Sequence, residues 1–367
     1  MSIISRIDVY KLSIPCTEPM VIAYGEFAGG ENLLVRIETS DGLYGLGEGS
    51  PDCYVTGELQ SASFEVGREL AGRMIGTDAA AIEARVAQMN GAVRFQPSTK
   101  SAFETALWDL CGKRAGLPLY KLWGGENRAL ETDHTVDMAT PEVMAGKAAD
   151  LKQRGFHSIK IKVGRTLRED LESVKAIREA VGEGVSLRID ANQGWDVPTA
   201  IATLAEMAPF AIEFCEQPVP VWDERGMKTV RERSSVPIMA DESVADHHDA
   251  FRLAASGACD YLNIKLAKSG GLSIGLKIDA IAEAAGMRCM VGCMEETRLG
   301  LTASAHLAAA RPNIAFLDLD GAFFLVEDPV TGGITYNGGE ITLPESSGLG
   351  ADIPADYLDD LESVSIT

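Results

Sequence analysis

The sequence has no apolar run approaching the length that a bilayer crossing needs, so a membrane-spanning role is not expected. Positive charge is in deficit: 33 Lys and Arg stand against 54 Asp and Glu, a formal net charge of −21. That balance argues against nucleic acid or an anionic membrane as partner, but does not fix the local field of a cleft. The seven cysteines (16, 53, 111, 215, 259, 289, 293) are odd in number and lack CxxC spacing. A disulfide framework is therefore not expected, and a reducing, cytoplasmic setting is. The five histidines show no metal-binding spacing, and His247 and His248 read as loop residues. The N-terminal "MSIISRIDVYKLSI" alternates apolar and polar residues, without the apolar core of a secretion signal.

At 367 residues and 46% hydrophobic content, the chain exceeds one ordinary core; two domains, or a barrel with an addition, are expected. Residues 1–125 mix strands ("ISRIDVYKLSI", and a pair joined at "SDG") with helices over 60–123. From about 130, apolar strands alternate with amphipathic helices. The strands fall near 132–137, 158–163, 186–190, 212–215, 237–240, 260–264, 288–292 and 315–318. Eight such units over 126–324 predict an α/β protein with a parallel (β/α)8 barrel, its final unit incomplete, beside an α+β capping domain. The strand-like tail from about 325 to 367 is expected to pack back on the first domain.

"HSIKIKVG" (157–164) raises a specific problem. Strand side chains alternate, so Ile159, Ile161 and Val163 face one way and Lys160 and Lys162 the other. If both faces are buried, two ammonium groups need partners. Those partners recur at a fixed interval: Lys162, Asp190, Glu216, Asp241, Lys265, Cys293 and Asp318 follow one another at spacings of 24 to 28 residues. One strand–helix unit has that length, so each group occupies the C-terminal end of its strand, where barrels gather catalytic residues. Three neighbouring carboxylates repel each other unless a hard cation joins them, and Mg2+ suits oxygen ligands while leaving positions open for substrate. A carboxylate substrate on that ion has its α-proton acidified, with an enediolate as the product of its removal. Lysines on either side, made more acidic by burial and a neighbouring cation such as Lys160, could exchange that proton on opposite faces. Singly, each residue has a plainer explanation: a helix cap, a loop carboxylate, a solvated edge-strand lysine. Five in one order at one interval do not. The Gly270–Gly271 pair reads as a turn rather than a phosphate site.

The motifs "KIKVG", "RIDANQGW", "EQPV", "MADESV", "NIKLAKSGG" and "VGCMEETRLGLTASAH" together resemble the enolase superfamily, in its muconate-lactonizing-enzyme-like subgroup. The resemblance implies that Asp190, Glu216 and Asp241 hold Mg2+, that Lys162 and Lys265 are the acid/base pair and that Lys160 is their electrostatic helper. "LDLDG" further resembles the dipeptide epimerases, whose Asp-x-Asp pair binds the α-ammonium of a dipeptide; here the pair is Asp318 and Asp320. Thr135, Asp137, Cys293, Met294, Glu295 and Tyr24 are expected around the substrate. L-Ala-D/L-Glu epimerases present a basic residue from the first-domain loop, whereas "CTEPMVIAYGEFAGG" has Glu18 and Glu26 and no Lys or Arg. The expectation is a dipeptide with apolar or cationic side chains. The alternatives are an Ala-Glu epimerase, o-succinylbenzoate synthase, N-succinylamino acid racemase, a cycloisomerase, or an idle barrel. Assembly into a homo-oligomer is left open.

Overall fold

The structure is a computed structural model that describes residues 2–367. Its N-terminal part is a four-stranded antiparallel sheet covered by helices. Strand Ile4–Ile22 pairs with Gly25–Thr39, which pairs with Tyr44–Gly49. Alternation gives this sheet two buried faces. Ile7, Val9, Leu33, Val35 and Ile37 pack under helices Gln60–Met74, Ile82–Ala92 and Pro97–Ala115, while Leu12, Ile14 and Leu34 join the larger core of the barrel. Helix Pro97–Ala115 lies almost on the third strand, and a Cβ at Gly47 would meet the Ala102 carbonyl oxygen at 2.0 Å. That contact explains the small residues of "GLGEG".

Eight parallel strands follow, each hydrogen-bonded to the next in chain order from His134–Val136 to Ile314–Asp318. The seam between last and first is closed by Asp133 N donating to Leu317 O at 3.2 Å and Leu319 N donating to Thr132 Oγ1 at 2.7 Å. Each of the first seven strands leads into a helix; the eighth leads only into the single turn Gly321–Phe323, the incomplete unit expected. Ile159, Ile161, Leu187 and Ile189 face the helices. Phe214, Met239 and Met290, with Tyr261 and Phe316, plug the interior below the charged groups. The C-terminal strand Ser363–Ile366 returns to pair with the first strand at Ile7 to Tyr10. No helix of the described residues is long and apolar enough to cross a membrane.

Two local expectations are corrected. Residues 16–30 are not an open loop: the first two strands continue as a hairpin, with Met20 opposite Phe27 and Ile22 opposite Gly25 after a register shift. Its tip, Ala23-Tyr24, carries none of the usual turn signals. His247 and His248 open helix His247–Ser256, because Asp246 accepts hydrogen bonds from His248 N and Asp249 N in a capping box.

The cap is tied to the barrel by carboxylates at helix starts. Glu104 accepts from Leu272 N at 2.6 Å and Ser273 N at 2.9 Å, occupying the helix that Gly270–Gly271 introduces. Glu48 likewise accepts from Thr297 N and Gly300 N, both at 3.0 Å. The anion at the Gly-Gly turn is thus a side chain of the cap.

Candidate active site

Parallel register sets Lys162 beside Asp190 and Asp190 beside Glu216 at the C-terminal ends of adjacent strands. Asp241 directly follows the next strand, Ile238–Ala240, and Lys265 the one after, Tyr261–Ile264, so the two lysines bracket a row of three carboxylates. All five are buried. Lys162 Nζ donates to Asp190 Oδ2 at 2.7 Å and to Asn192 Oδ1 at 3.1 Å. Lys265 Nζ lies 3.1 Å from Asp241 Oδ2, and Lys268 donates to the other oxygen of the same carboxylate. Lys160 Nζ reaches across the interior, 3.1 Å from Asp190 Oδ2, 2.9 Å from Glu216 Oε2 and 2.8 Å from Asp318 Oδ2.

The electrostatics follow from that crowding. Burial pulls Lys160 down, but Asp318, Glu216 and Asp190 outweigh it and hold the group well above its ordinary value. Lys265 behaves the same way: burial lowers it, Asp241 raises it more, and the net direction is up. The direction is set by the neighbouring carboxylates, Asp241 first, against the opposing effects of burial and Lys160. Burial and then Asp190 push Glu216 up to about 8. Lys160 approaches Glu216 Oε2 at an angle that makes no hydrogen bond, and this sealed oxygen has no hydrogen-bond partner among the described residues. Three buried carboxylates on neighbouring strands, one with an oxygen that accepts no hydrogen bond among the described residues, form a donor set of the kind that suits a hard divalent cation.

A second group of acids stands across the mouth. Oxygens of Asp133, Asp318 and Asp320 all lie within 4.8 Å of one another. Asp318 Oδ2 accepts from Lys160, and Asp320 Oδ2 accepts from Thr135 N at 2.7 Å. Asp133 Oδ2 accepts from Arg188 at 2.8 Å.

One cavity collects most of the residues expected from the sequence. It is lined by Lys160, Lys162, Lys265, Asp318, Asp320, Thr135, Cys293, Met294, Glu295 and Tyr24, with the metal-ligand candidates Asp190, Glu216 and Asp241 buried beneath. Asp137 is the exception. It lines a neighbouring cavity and is drawn there by Lys147 on helix Pro141–Gln153, whose Nζ donates to it at 2.7 Å. Glu18 is exposed and lies 3.8 Å from the same Lys147. The hairpin therefore shows the lysine-lined cavity Met20, Ile22, Tyr24 and Phe27, and none of its acids.

Comparison with known proteins agrees with this architecture. Residues 6–124 match the mandelate racemase / muconate lactonizing enzyme N-terminal domain, and residues 143–357 match the enolase C-terminal domain-like family. The chain belongs to the enolase superfamily. It is 42% identical to the D-Ala-D/L-Ala epimerase of Cytophaga hutchinsonii over 99% of this chain and 100% of the relative. The structure of a dipeptide epimerase from that organism, complexed with Mg and D-Ala-L-Val, superposes over 100% of both chains with a TM-score of 0.98. A dipeptide epimerase of Enterococcus faecalis, complexed with Mg and L-Leu-L-Tyr, is 42% identical over 96% of this chain and 100% of that one, with a TM-score of 0.94. The L-Ala-D/L-Glu epimerase of Bacillus subtilis is 40% identical over 95% of this chain and 96% of its own length.

Several residues of this enolase-superfamily site escaped the sequence argument. Asn263, which donates to Glu216 Oε1 at 2.6 Å, lies two residues before Lys265 on the same strand face. Lys268 lies one helical turn beyond Lys265. Asp133 lies two before Thr135. Alternation and helical spacing carried all three signals. Met20, Ile22 and Phe27 had no such signal, because their place depends on the hairpin folding over the mouth.

Proposed function

We infer that this protein is a Mg2+-dependent dipeptide epimerase that inverts the α-carbon of the C-terminal residue by proton transfer between Lys162 and Lys265. The observation that carries the proposal is one cavity in which two lysines bracket a row of buried carboxylates while Asp318 and Asp320 line the same space. In this proposal Asp190, Glu216 and Asp241 hold the metal. When bound, Mg2+ offsets their charge and stabilises the negative charge that a substrate carboxylate gains as its α-proton leaves. One lysine takes the α-proton onto Nζ; the other delivers its own proton to the opposite face, which inverts the centre. Lys160, held charged by three carboxylates, stays an ammonium and acts through its field.

Asp318 and Asp320 suit a free α-ammonium, because a paired carboxylate site is best satisfied by a cation. The side chains of the substrate are assigned as apolar, on the strength of Met20, Ile22, Tyr24 and Phe27 facing the cavity. No Lys or Arg comes from the hairpin to receive a glutamate side chain. The same proposal divides the chain near residues 125 and 325 into cap, barrel and tail, in keeping with two large apolar cores. It places the enzyme in the cytoplasm, where its seven free thiols stay reduced.

A dipeptide library incubated with Mg2+ in D2O tests the proposal. Deuterium is expected at the C-terminal α-carbon, most rapidly with apolar dipeptides, and is expected to vanish with a chelator. No exchange with any dipeptide sinks the reaction class. An Ala-Glu dipeptide as the best substrate sinks the side-chain assignment alone. Turnover of N-succinylamino acids in place of dipeptides would favour the racemase alternative.

A further inference from the structure

Asp133 is a buried acid beside this mouth that the proton-transfer scheme does not use. It is fully buried, and its two oxygens are treated differently. Oδ2 accepts from Arg188, which also donates to Leu317 O at 3.0 Å and to Glu213 at 2.7 Å, so the carboxylate is anchored. Oδ1 is sealed from solvent and accepts no hydrogen bond among the described residues. Burial and then Asp318 raise this acid well above the ordinary carboxylate range, so its ionised form calls for a donor at that oxygen.

The surroundings indicate what that donor is. One oxygen each from Asp133, Asp318 and Asp320 forms a triangle with sides of 4.8 Å or less. A triangle of that size has its centre about 2.8 Å from each corner, the length of a charged N–H···O bond. A primary ammonium carries three N–H donors. Asp318 and Asp320 line the cavity, and Asp133, which does not line it, brings one carboxylate oxygen within 4.8 Å of an oxygen of each.

We propose that Asp133 is the third acceptor of the ammonium site and selects a primary ammonium over an alkylated nitrogen. The inference rests on the dipeptide proposal above. It adds that specificity at the amino end is set by counting donors: three for a free N-terminus, two for an N-methylated one.

The test compares L-Ala-L-Leu with its N-methyl form as substrates of the full-length Mg2+-loaded enzyme and of Asp133→Asn. The unmodified enzyme is expected to prefer the primary amine by about tenfold or more in kcat/KM, the worth of one charged hydrogen bond. In Asp133→Asn that preference should shrink to within about threefold, through a higher KM for the primary amine with kcat little changed. Asp133→Ser, which keeps a shorter acceptor, should fall between, and replaces the Asn variant if that one does not fold. An unchanged preference in folded Asp133 variants overturns the inference. So does a second equivalent of Mn2+ bound by the unmodified chain and lost in Asp133→Asn, which would make the trio a metal site. If Asp318→Asn leaves turnover of L-Ala-L-Leu intact, the dipeptide proposal itself fails. If Asp318→Asn raises KM steeply while the Asp133 variants keep the full preference, only the role of Asp133 fails.

Discussion

At the junction of cap and barrel, Glu104 takes hydrogen bonds from Leu272 N, Ser273 N, Ser273 Oγ and Trp108 Nε1. In the mouth of the barrel, Glu216 has one oxygen held by Asn263 and the other without a hydrogen bond among the described residues. Both side chains are fully buried, and burial is the first cause raising each. The difference lies in what offsets it. Backbone N–H groups at a helix start are fixed and neutral, so they saturate a carboxylate permanently. Lysine ammoniums are long-stemmed and charged, so they satisfy a carboxylate only while nothing better is present. Burial with saturation marks a joint; burial with a shortage of donors marks a place for a cation or substrate.

Removing either lysine proposed as a proton carrier should have the largest effect. Lys162→Ala and Lys265→Ala are each expected to lower epimerisation about a hundredfold to ten-thousandfold, with little change in melting temperature. Deuterium exchange of one epimer should survive in each variant, and in opposite senses for the two. Loss of folding in place of activity would make these lysines part of the scaffold, and the contrast with the joint would collapse. Glu104→Ala should do the reverse. It strands two N–H groups at a buried helix start, at a cost of about 3 kcal/mol in denaturant unfolding. Turnover per folded molecule should stay within about threefold.

The mouth was legible in the sequence because its charges repeat. Asp190 and Glu216 end their strands and Asp241 directly follows its own, and one barrel unit fixes their spacing, so chain position alone locates them. The helix layer and the eight strands were legible for the same reason: local periodicity decides them. Three things depended on distant contacts and were not. The hairpin over residues 16–30 is held by its ladder and lacks a turn signal. Asp137 faces Lys147 because a helix ten residues on presents that lysine. Glu104 looked like any helical glutamate until the turn at Gly270–Gly271 was brought to it.

The joint also contains a histidine that should make it fail in acid. His306 is fully buried, stacks on Tyr120 with ring centroids 5.7 Å apart, and has Nε2 3.0 Å from Leu349 O. Its Nδ1 has no hydrogen-bond partner among the described residues. Burial brings its pKa down to about 4 from the ordinary 6.5. The unfolded chain therefore binds this proton first, and stability is lost as pH falls from about 6.5 to 4, by about 3 kcal/mol in all. Several buried acids titrate in the opposite sense, so the readout is the difference between the unmodified chain and His306→Gln. Denaturant unfolding at pH 7.5 and at pH 4.5 should show the unmodified protein losing more stability than the variant. Equal losses would mean that His306 does not limit the joint.

The smallest effect is expected where the mouth is apolar. Met20, Ile22, Tyr24 and Phe27 contribute surface to the cavity rather than charge, and Tyr24 meets Phe27 edge-on with ring centroids 6.1 Å apart. Selectivity from such a wall is modest, on the order of tenfold for a change of a few methylenes. Phe27→Ala should therefore raise KM for a dipeptide ending in leucine by about tenfold and barely alter KM for one ending in alanine. The lysines and acids beneath are untouched, so kcat should hold for both. A fall in kcat with no change in the leucine-to-alanine ratio would show that the hairpin orders the charged floor and does not read the substrate. The division drawn above, between fixed joint and receptive mouth, would then run through the hairpin itself.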